Sequence, residues 1–388
     1  MQSTGFIATI KREIGRLTRR KAYLFAMILV PLGVALFFLS LMSEGLPLKV
    51  PTAVVDLDNS TLSRNLTRSL QAQELTDISM KLDSYHEAIE KVRNGEIFGF
   101  FYMPHNLEKD AVAGKKPTIT YYSNMTYFVP GTLAYKGFKT ISVTASGLMA
   151  AEKIVEVGVN ESTAEVLLQP MTIDLHGLGN PWTNYSYYLT NSFVPAALEL
   201  MIFLVTVFSI CQEIKTGESV QWLARADGSI LKALAGKLAP QTVIFFIVGM
   251  AIDALLFKFN HFPMNGSWGA MILAMFLFVV ACQGFALFIT CAIPNLRMAL
   301  SICSLLGILA FSIAGFSFPV EQMYGAIGIF SYILPIRYYF LIYIDQALNG
   351  IPLYYSREYF AALLVFTLAF LPLVPHLKKN VARPVYIL

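Results

Sequence analysis

The sequence predicts an α-helical polytopic membrane protein with six transmembrane helices and an α/β domain inserted after the first of them. Three observations predict it. Apolar runs long enough to cross a hydrocarbon core of ~30 Å, about 20 helical residues each, recur along the chain. Lys and Arg collect beside alternate ends of those runs. Between the first and second runs lies a long, mostly polar stretch in which β-rich and helical patterns alternate.

In chain order, residues 1–21 form a cytoplasmic amphipathic helix. Phe6, Ile7, Ile10, Ile14 and Leu17 recur at helical spacing, while Lys11, Arg12, Arg16, Arg19 and Arg20 fill the other face. Such a helix lies in the inner headgroup layer, held by apolar burial and anionic lipid; the plainer alternative is a helix that continues straight into the first span. Residues 22–42 are that span. No small-residue cleavage site precedes Glu44, so the run reads as a retained anchor and not a signal peptide.

Residues 43–187 form the extracytoplasmic α/β domain. Residues 50–55 are a short β-rich run closed by Asp56, Asp58 and Asn59. A helix follows, with Leu62, Leu66, Leu70 and Leu75 as its buried stripe. Residues 85–94 read as helix, 97–102 and 118–122 as strands, 132–159 as helix, and 176–181 as a breaker-rich return. The remaining spans are 188–211, 238–257, 268–293, 299–318 and 357–377. A cytoplasmic segment, 212–237, separates the second and third spans, and a tail, 378–388, closes the chain. Residues 319–356 are apolar but broken by Pro319, Gly325, Gly328 and Pro335.

Cations set the orientation. Lys11, Arg12, Arg16, Arg19, Arg20 and Lys21 precede the first span; Lys215, Arg225, Lys232 and Lys237 follow the second; Arg297 follows the fourth; Lys378, Lys379 and Arg383 follow the sixth. The opposite short loops hold little beyond Lys258 and Arg337. Both termini are therefore cytoplasmic, which requires an even number of spans. The net charge of +4 averages basic ends against a slightly acidic external segment and calls for no nucleic acid. Cys211, Cys282, Cys291 and Cys303 all lie in or beside apolar runs, which argues against structural disulfides in the external domain. Asn-x-Ser/Thr triplets begin at Asn59, Asn65, Asn124, Asn160 and Asn184; in a bacterial chain, the source favoured by the rest of the sequence, they carry no glycan.

Chemistry of the enzymatic kind is not indicated. Gly236-Lys237 lacks the upstream glycine and the hydroxyl of a phosphate-binding loop, and the five histidines have no ligand spacing. Two carboxylates lie inside apolar runs. Glu199, near mid-membrane, either lines a translocation path or is bonded to a polar neighbour such as Gln241 or Gln283, and Asp253 reads as interfacial. The segment after the second span, with Glu213, Lys215, Gly217, Glu218, Trp222 and Leu223, is longer and more charged than a turn requires and suggests a surface for another protein.

With these residues in view, nearly the whole chain resembles the permease subunits of the ABC-2 export family, in the branch with a large external domain between the first two spans (the ABC-2/type V exporter-like fold). Glu213 and Gly217 match its acidic segment with a Gly-Thr pair; Lys215 stands where a second acid is common and Glu218 where Thr is common. Residues 50–63, Asn180-Pro181, Asn184-Tyr185, Val194-Pro195, 315–323 and 334–339 are similar to further stretches of the family.

The resemblance implies a half-transporter that pairs with a second copy or a paralogous permease, with no cofactor of its own because ATP and Mg bind to partner ATPase subunits. It implies export of a drug, lipid or peptide across a bacterial inner or plasma membrane, and a periplasmic membrane-fusion adaptor where an outer membrane exists. It puts ATPase coupling at Glu213 to Leu223, the translocation path along the second and fifth spans at Glu199 and Pro195, and an outer gate of helices dipping into the outer leaflet at Phe318, Pro319 and Pro335. The alternative reading is a membrane receptor or secretion scaffold whose external domain is the working part. An ion-driven carrier would need more charged or broken mid-membrane helices.

Overall fold

The computed structural model describes residues 5–43, 45–156, 158, 160, 184–316 and 318–384. The chain divides into two units: Leu46–His176, and Met1–Gly45 with Gly177–Leu388. Helix α1 (Phe6–Arg19) ends because Arg20 turns extended (φ −99°, ψ 93°), so it does not run on into the first span, α2 (Lys21–Leu41). Phe6, Ile7 and Ile14 stay exposed on α1. Ala8, Thr9, Glu13 and Leu17 turn inward on an adjacent face.

The Leu46–His176 unit is built on a sheet of order β2-β1-β3-β4. Central β1 (Val50–Asp56) is followed by α3 (Thr61–Gln71), β2 (Thr76–Leu82), α4 (Tyr85–Arg93), β3 (Gly99–Met103), α5 (Leu107–Val112), β4 (Thr120–Ser123) and α6 (Phe128–Glu156). Strand β1 is parallel to β2 and β3, and β4 is antiparallel to β3. Ala53, Val55 and Phe100 pack on one face against Ala88 of α4, while Val54, Phe101 and Met103 pack on the other against Leu66, Leu70 and Leu107. Burial on both faces explains why β1 reads as a continuous apolar run and not an alternating one.

The sequence expectation differs at β2. Leu75 does not extend the stripe of α3, because that helix stops at Gln71 and Thr76, Ile78, Met80 and Leu82 alternate with polar residues in a strand. Residues 161–183, including the breaker-rich stretch and Asn180-Pro181, lie outside the described residues.

In the other unit, α7 (Tyr185–Thr216) is followed by the short α8 (Ser219–Arg225), then α9 (Ile230–Phe259), α10 (Trp268–Ala292) and α11 (Leu296–Ile313). Helices α12 (Gly325–Tyr332) and α13 (Pro335–Leu348) come next, bent by 80° at their junction. The last apolar helix, Leu353–Ala382, contains α14 (Arg357–Leu368) and α15 (Val374–Ala382). Among the described residues six helices are long and apolar enough to cross a membrane, the α12–α13 pair aside. Neither α12 nor α13 alone reaches ~30 Å at ~1.5 Å per residue, and the pair turns nearly a right angle at its junction.

Asn184, Ser229, Ser267 and Asn295 cap α7, α9, α10 and α11 by accepting from backbone N–H groups. Three boundaries differ from those expected. Helix α11 begins at Leu296, so Arg297 belongs to its first turn, and it ends at Ile313 before Gly315 (φ +102°), short of Phe318. The expected 212–237 segment is mostly absorbed by the ends of α7 and α9, leaving α8 between them. The tail from 378 is the end of α15. Helices approach closely at glycines: a Cβ on Gly307 would lie 2.7 Å from Leu200 Cδ1, and one on Gly284 2.7 Å from Thr367 Cα.

Candidate functional site

Three helices meet at a buried ionic cluster. Glu213, near the end of α7, is fully buried and receives Arg12 Nη1 at 2.9 Å and Nη2 at 3.1 Å, a two-pronged pair from α1. Arg16 of α1 and Lys237 of α9 bond the same carboxylate. Lys237 also reaches Glu13 of α1 at 3.0 Å, and Gln241 donates to the other Glu13 oxygen at 3.3 Å. Arg16 Nη1 donates in addition to the Ser209 carbonyl at 3.2 Å. Two carboxylates thus face three cations with almost no solvent between them. Burial opposes the charge on Arg12, but its hydrogen bond to Glu213 and that carboxylate's field outweigh burial and hold the guanidinium above its ordinary pKa. Gly236 is required here: a Cβ would lie 2.8 Å from Thr9 Cβ, so only hydrogen lets α1 seat on α9.

Beside this cluster α8 is wedged into an apolar one. Trp222 is fully buried among Ile210, Ile214, Leu234, Leu287 and Leu377, its Nε1–H donates to the Ala233 carbonyl at 3.2 Å, and Lys237 Nζ lies 4.7 Å from its ring centroid. Ser219 Oγ donates to the Val381 carbonyl at 2.9 Å, and Gly5 N–H to the Arg225 carbonyl at 2.7 Å. The six residues expected to contact an ATPase therefore divide. Glu213, Trp222 and Leu223 face inward; Lys215 and Gly217 are exposed and Glu218 is half-buried. Gly217 takes the left-handed φ of +75° that ends α7. The outward face of α8 includes Val220, 46% exposed, with Gln221 and Ala224, none of which sequence reasoning singled out.

At mid-span the polar groups converge on α13. Glu199 Oε1 accepts the Ile336 N–H at 3.2 Å, with Cys282 Sγ at 3.9 Å, so its partners are neither Gln241 nor Gln283. Gln283 instead accepts from Thr242 at 2.7 Å. Pro335, first in α13, cannot donate, and Glu199 takes the next N–H, one of the four a helix leaves unpaired at its start. Asp253, toward the end of α9, is 2% exposed and accepts from Tyr339 Oη at 3.4 Å. Arg337, expected in a short outer loop, is buried and donates to the Ala314 carbonyl at 3.2 Å. Pro195 lies buried inside α7, one turn before Glu199, where its missing N–H interrupts the helix ladder. Of the expected gate residues, Phe318 is exposed, Pro319 precedes a short turn, and Pro335 is buried against the helices.

Sequence reasoning missed Glu13, Arg12, Arg16, Lys237 and Gln241 as a constellation, because their charges serve equally well as topology signals. One cue was available. Glu13 is the lone acid of a basic helix, in line with Thr9 and Leu17 at i−4 and i+4.

The model of one protein family, described as ABC-2 family transporter protein, matches residues 21–374. No curated protein matches the chain.

Proposed function

The chain belongs to the ABC-2 family of transporter proteins, and from that premise we propose that it is the membrane permease subunit of an ATP-binding cassette exporter, driven by separate ATPase subunits that bind ATP and Mg. It pairs with a second copy or a paralogue. The Leu46–His176 unit is extracytoplasmic and both termini are cytoplasmic, in a bacterial inner or plasma membrane, with a periplasmic adaptor where an outer membrane exists. Family membership favours this permease role over the receptor or scaffold alternative.

The observation that carries the reading is the construction of α8. It is a short helix at the end of α7, with Val220 and Gln221 outward and Trp222 locked inward, joined by the Glu213 cluster to α1 and α9. A push on its outer face has no soft layer in which to dissipate, because the packed interior beneath transmits strain. Helix α7 carries the push onward: its 32 residues form a rod of ~48 Å at ~1.5 Å per residue, with α8 at one end and, midway, Glu199 bonded to α13. ATP-driven closure of the partners then biases the equilibrium between two arrangements of α7 against α13. Glu199 and Pro195 lie on the path side of this coupling, and Phe318, Pro319 and Pro335 belong to its outer gate.

The test is co-expression with a candidate ATP-binding cassette ATPase subunit. Val220→Asp should abolish stimulation of the ATPase while thermal stability is kept, and Trp222→Ala should lose both. Full stimulation by Val220→Asp, together with normal co-purification, would remove α8 as the docking surface.

A further inference from the structure

Two cavities meet where α1 passes into α2. The first, of about 520 Å³, is lined by Lys11, Arg12, Arg16, Arg19 and Arg20 of the N-terminal segment and by Arg225 of α8, with Glu218 as its one lining carboxylate. The second, of about 540 Å³, is apolar: Tyr23 and Ala26 of α2, Leu204 and Phe208 of α7, and Leu300 and Ser304 of α11 line it. Arg20 lines both.

The seam between them holds buried donors that lack an acceptor. Arg16 has a side chain only 9% exposed, and although Nη1 is engaged, its Nε and Nη2 have no hydrogen-bond partner among the described residues. The guanidinium stands 5.8 Å from the ring centroid of Tyr23, whose own Oη is also unpartnered and whose residue is 3% exposed. Buried N–H and O–H groups without acceptors are costly, and groups this close that all donate call for an oxyanion. Glu213 partly neutralises Arg12 and Arg16, and Lys11, Arg19 and Arg20 leave the cleft an excess of positive charge that complements that oxyanion. Basic clefts that open onto an apolar groove at the membrane boundary fit acidic lipid headgroups, as the point charge and the chain are satisfied in adjoining spaces.

The geometry points to a binding site for one anionic phospholipid, its phosphate at Arg16, Arg20 and Tyr23 and an acyl chain laid in the groove between α2, α7 and α11. This site depends on the chain's seating in a bilayer and not on ATP-driven transport, so it stands or falls apart from the proposed function. Occupied, it would tie α1 to the faces of α7 and α11.

The full-length protein, purified in a mild detergent, would be exchanged against phosphatidylglycerol or phosphatidylcholine and examined by native mass spectrometry. Wild type should retain one phosphatidylglycerol per chain and at least tenfold less phosphatidylcholine. Arg20→Gln should cut phosphatidylglycerol retention about tenfold, and Ser304→Trp, which fills the groove and leaves the cations in place, should do the same, with thermal stability followed in each. Equal retention of the two lipids would overturn the proposal. So would retention unaffected by Ser304→Trp, or full displacement of phosphatidylglycerol by glycerol phosphate, which would mark an anion site without a chain. If Ser304→Trp abolishes pairing of two subunits and leaves lipid retention unchanged, the groove belongs to the partner subunit and the lipid site is refuted.

Discussion

Glu213→Gln isolates the charge of the buried cluster from its shape. Glutamine keeps the volume and one carbonyl oxygen, but it removes one of two carboxylates facing three cations and turns an amide NH₂ toward Arg12, Arg16 or Lys237. Breaking a buried ion pair by neutralising one partner costs about 3–5 kcal/mol, because the other charge is left without compensation. Arg12, whose side chain is 16% exposed, can swing toward water and recover part of that; Lys237, at 0%, cannot. The lower figure, about 3 kcal/mol, is therefore expected, and at ~1.4 kcal/mol per tenfold it multiplies the population with α1 released by about a hundredfold. Hydrogen exchange of the α1 amides in the detergent-solubilised protein reads that population directly, with Lys11→Ala as an exposed control. The double variant Glu213→Gln/Lys237→Met should be less perturbed than the sum of its singles by about 1–3 kcal/mol, since the pair is in contact. Exchange in α1 within twofold of wild type, or strict additivity of the two changes, would show that the cluster does not hold α1 in place.

Glu199→Ala should loosen α13 and impair transport, because it leaves the Ile336 N–H buried without an acceptor at a cost of about 1–3 kcal/mol, whereas Glu199→Gln retains an acceptor oxygen. Transport assays on the reconstituted complex separate the two: impairment by Gln as well would mean that the charge itself is used. In the α/β unit, burial pushes the Asp58 carboxyl up, but the Ser60 side chain and the backbone N–H groups of Glu108, Leu107 and Asn106 outweigh it and hold the pKa below the ordinary value. A lowered carboxylate stabilises the fold above its unfolded pKa of ~3.9 and loses that contribution as pH falls through the folded value. Exchange at α5 should therefore rise on acidification below about pH 4, and Asp58→Asn should flatten that dependence.

The spans were legible because each is a local property: about 20 apolar residues must cross by themselves, whatever packs beside them. The edge strand β2 was less so. Its Asp77, Ser79 and Lys81 alternate correctly, but Leu75 also continues the leucine spacing of α3, and only the register with β1 decides between the two. The partner of Glu199 was not legible at all, since it is a backbone N–H lying 137 residues away, and any residue but proline at position 336 would supply it. Pro335 was the only local hint, as proline favours the first turn of a helix and so marks where unpaired N–H groups begin. The Glu213 cluster fell between these cases, for its residues were visible while their convergence depends on α1 folding back onto α9 across Gly236.

The two carboxylates of α7 are held in opposite ways, and that asymmetry bears on which end of the rod moves. Glu213 has three cations around it, one of them bound through two oxygens. Glu199, about 21 Å earlier along the helix at ~1.5 Å per residue, has one backbone N–H and a thiol, and its Oε2 has no partner among the described residues. Breaking the first set costs several charge-assisted bonds at once; breaking the second costs about one neutral donor and the weak thiol contact. Under the proposed function, a load applied at α8 would shift α7 together with α1 and α9 and be released at the Glu199–Ile336 contact. On that reading the relative motion would fall at α13, where Pro195 interrupts the α7 ladder one turn away.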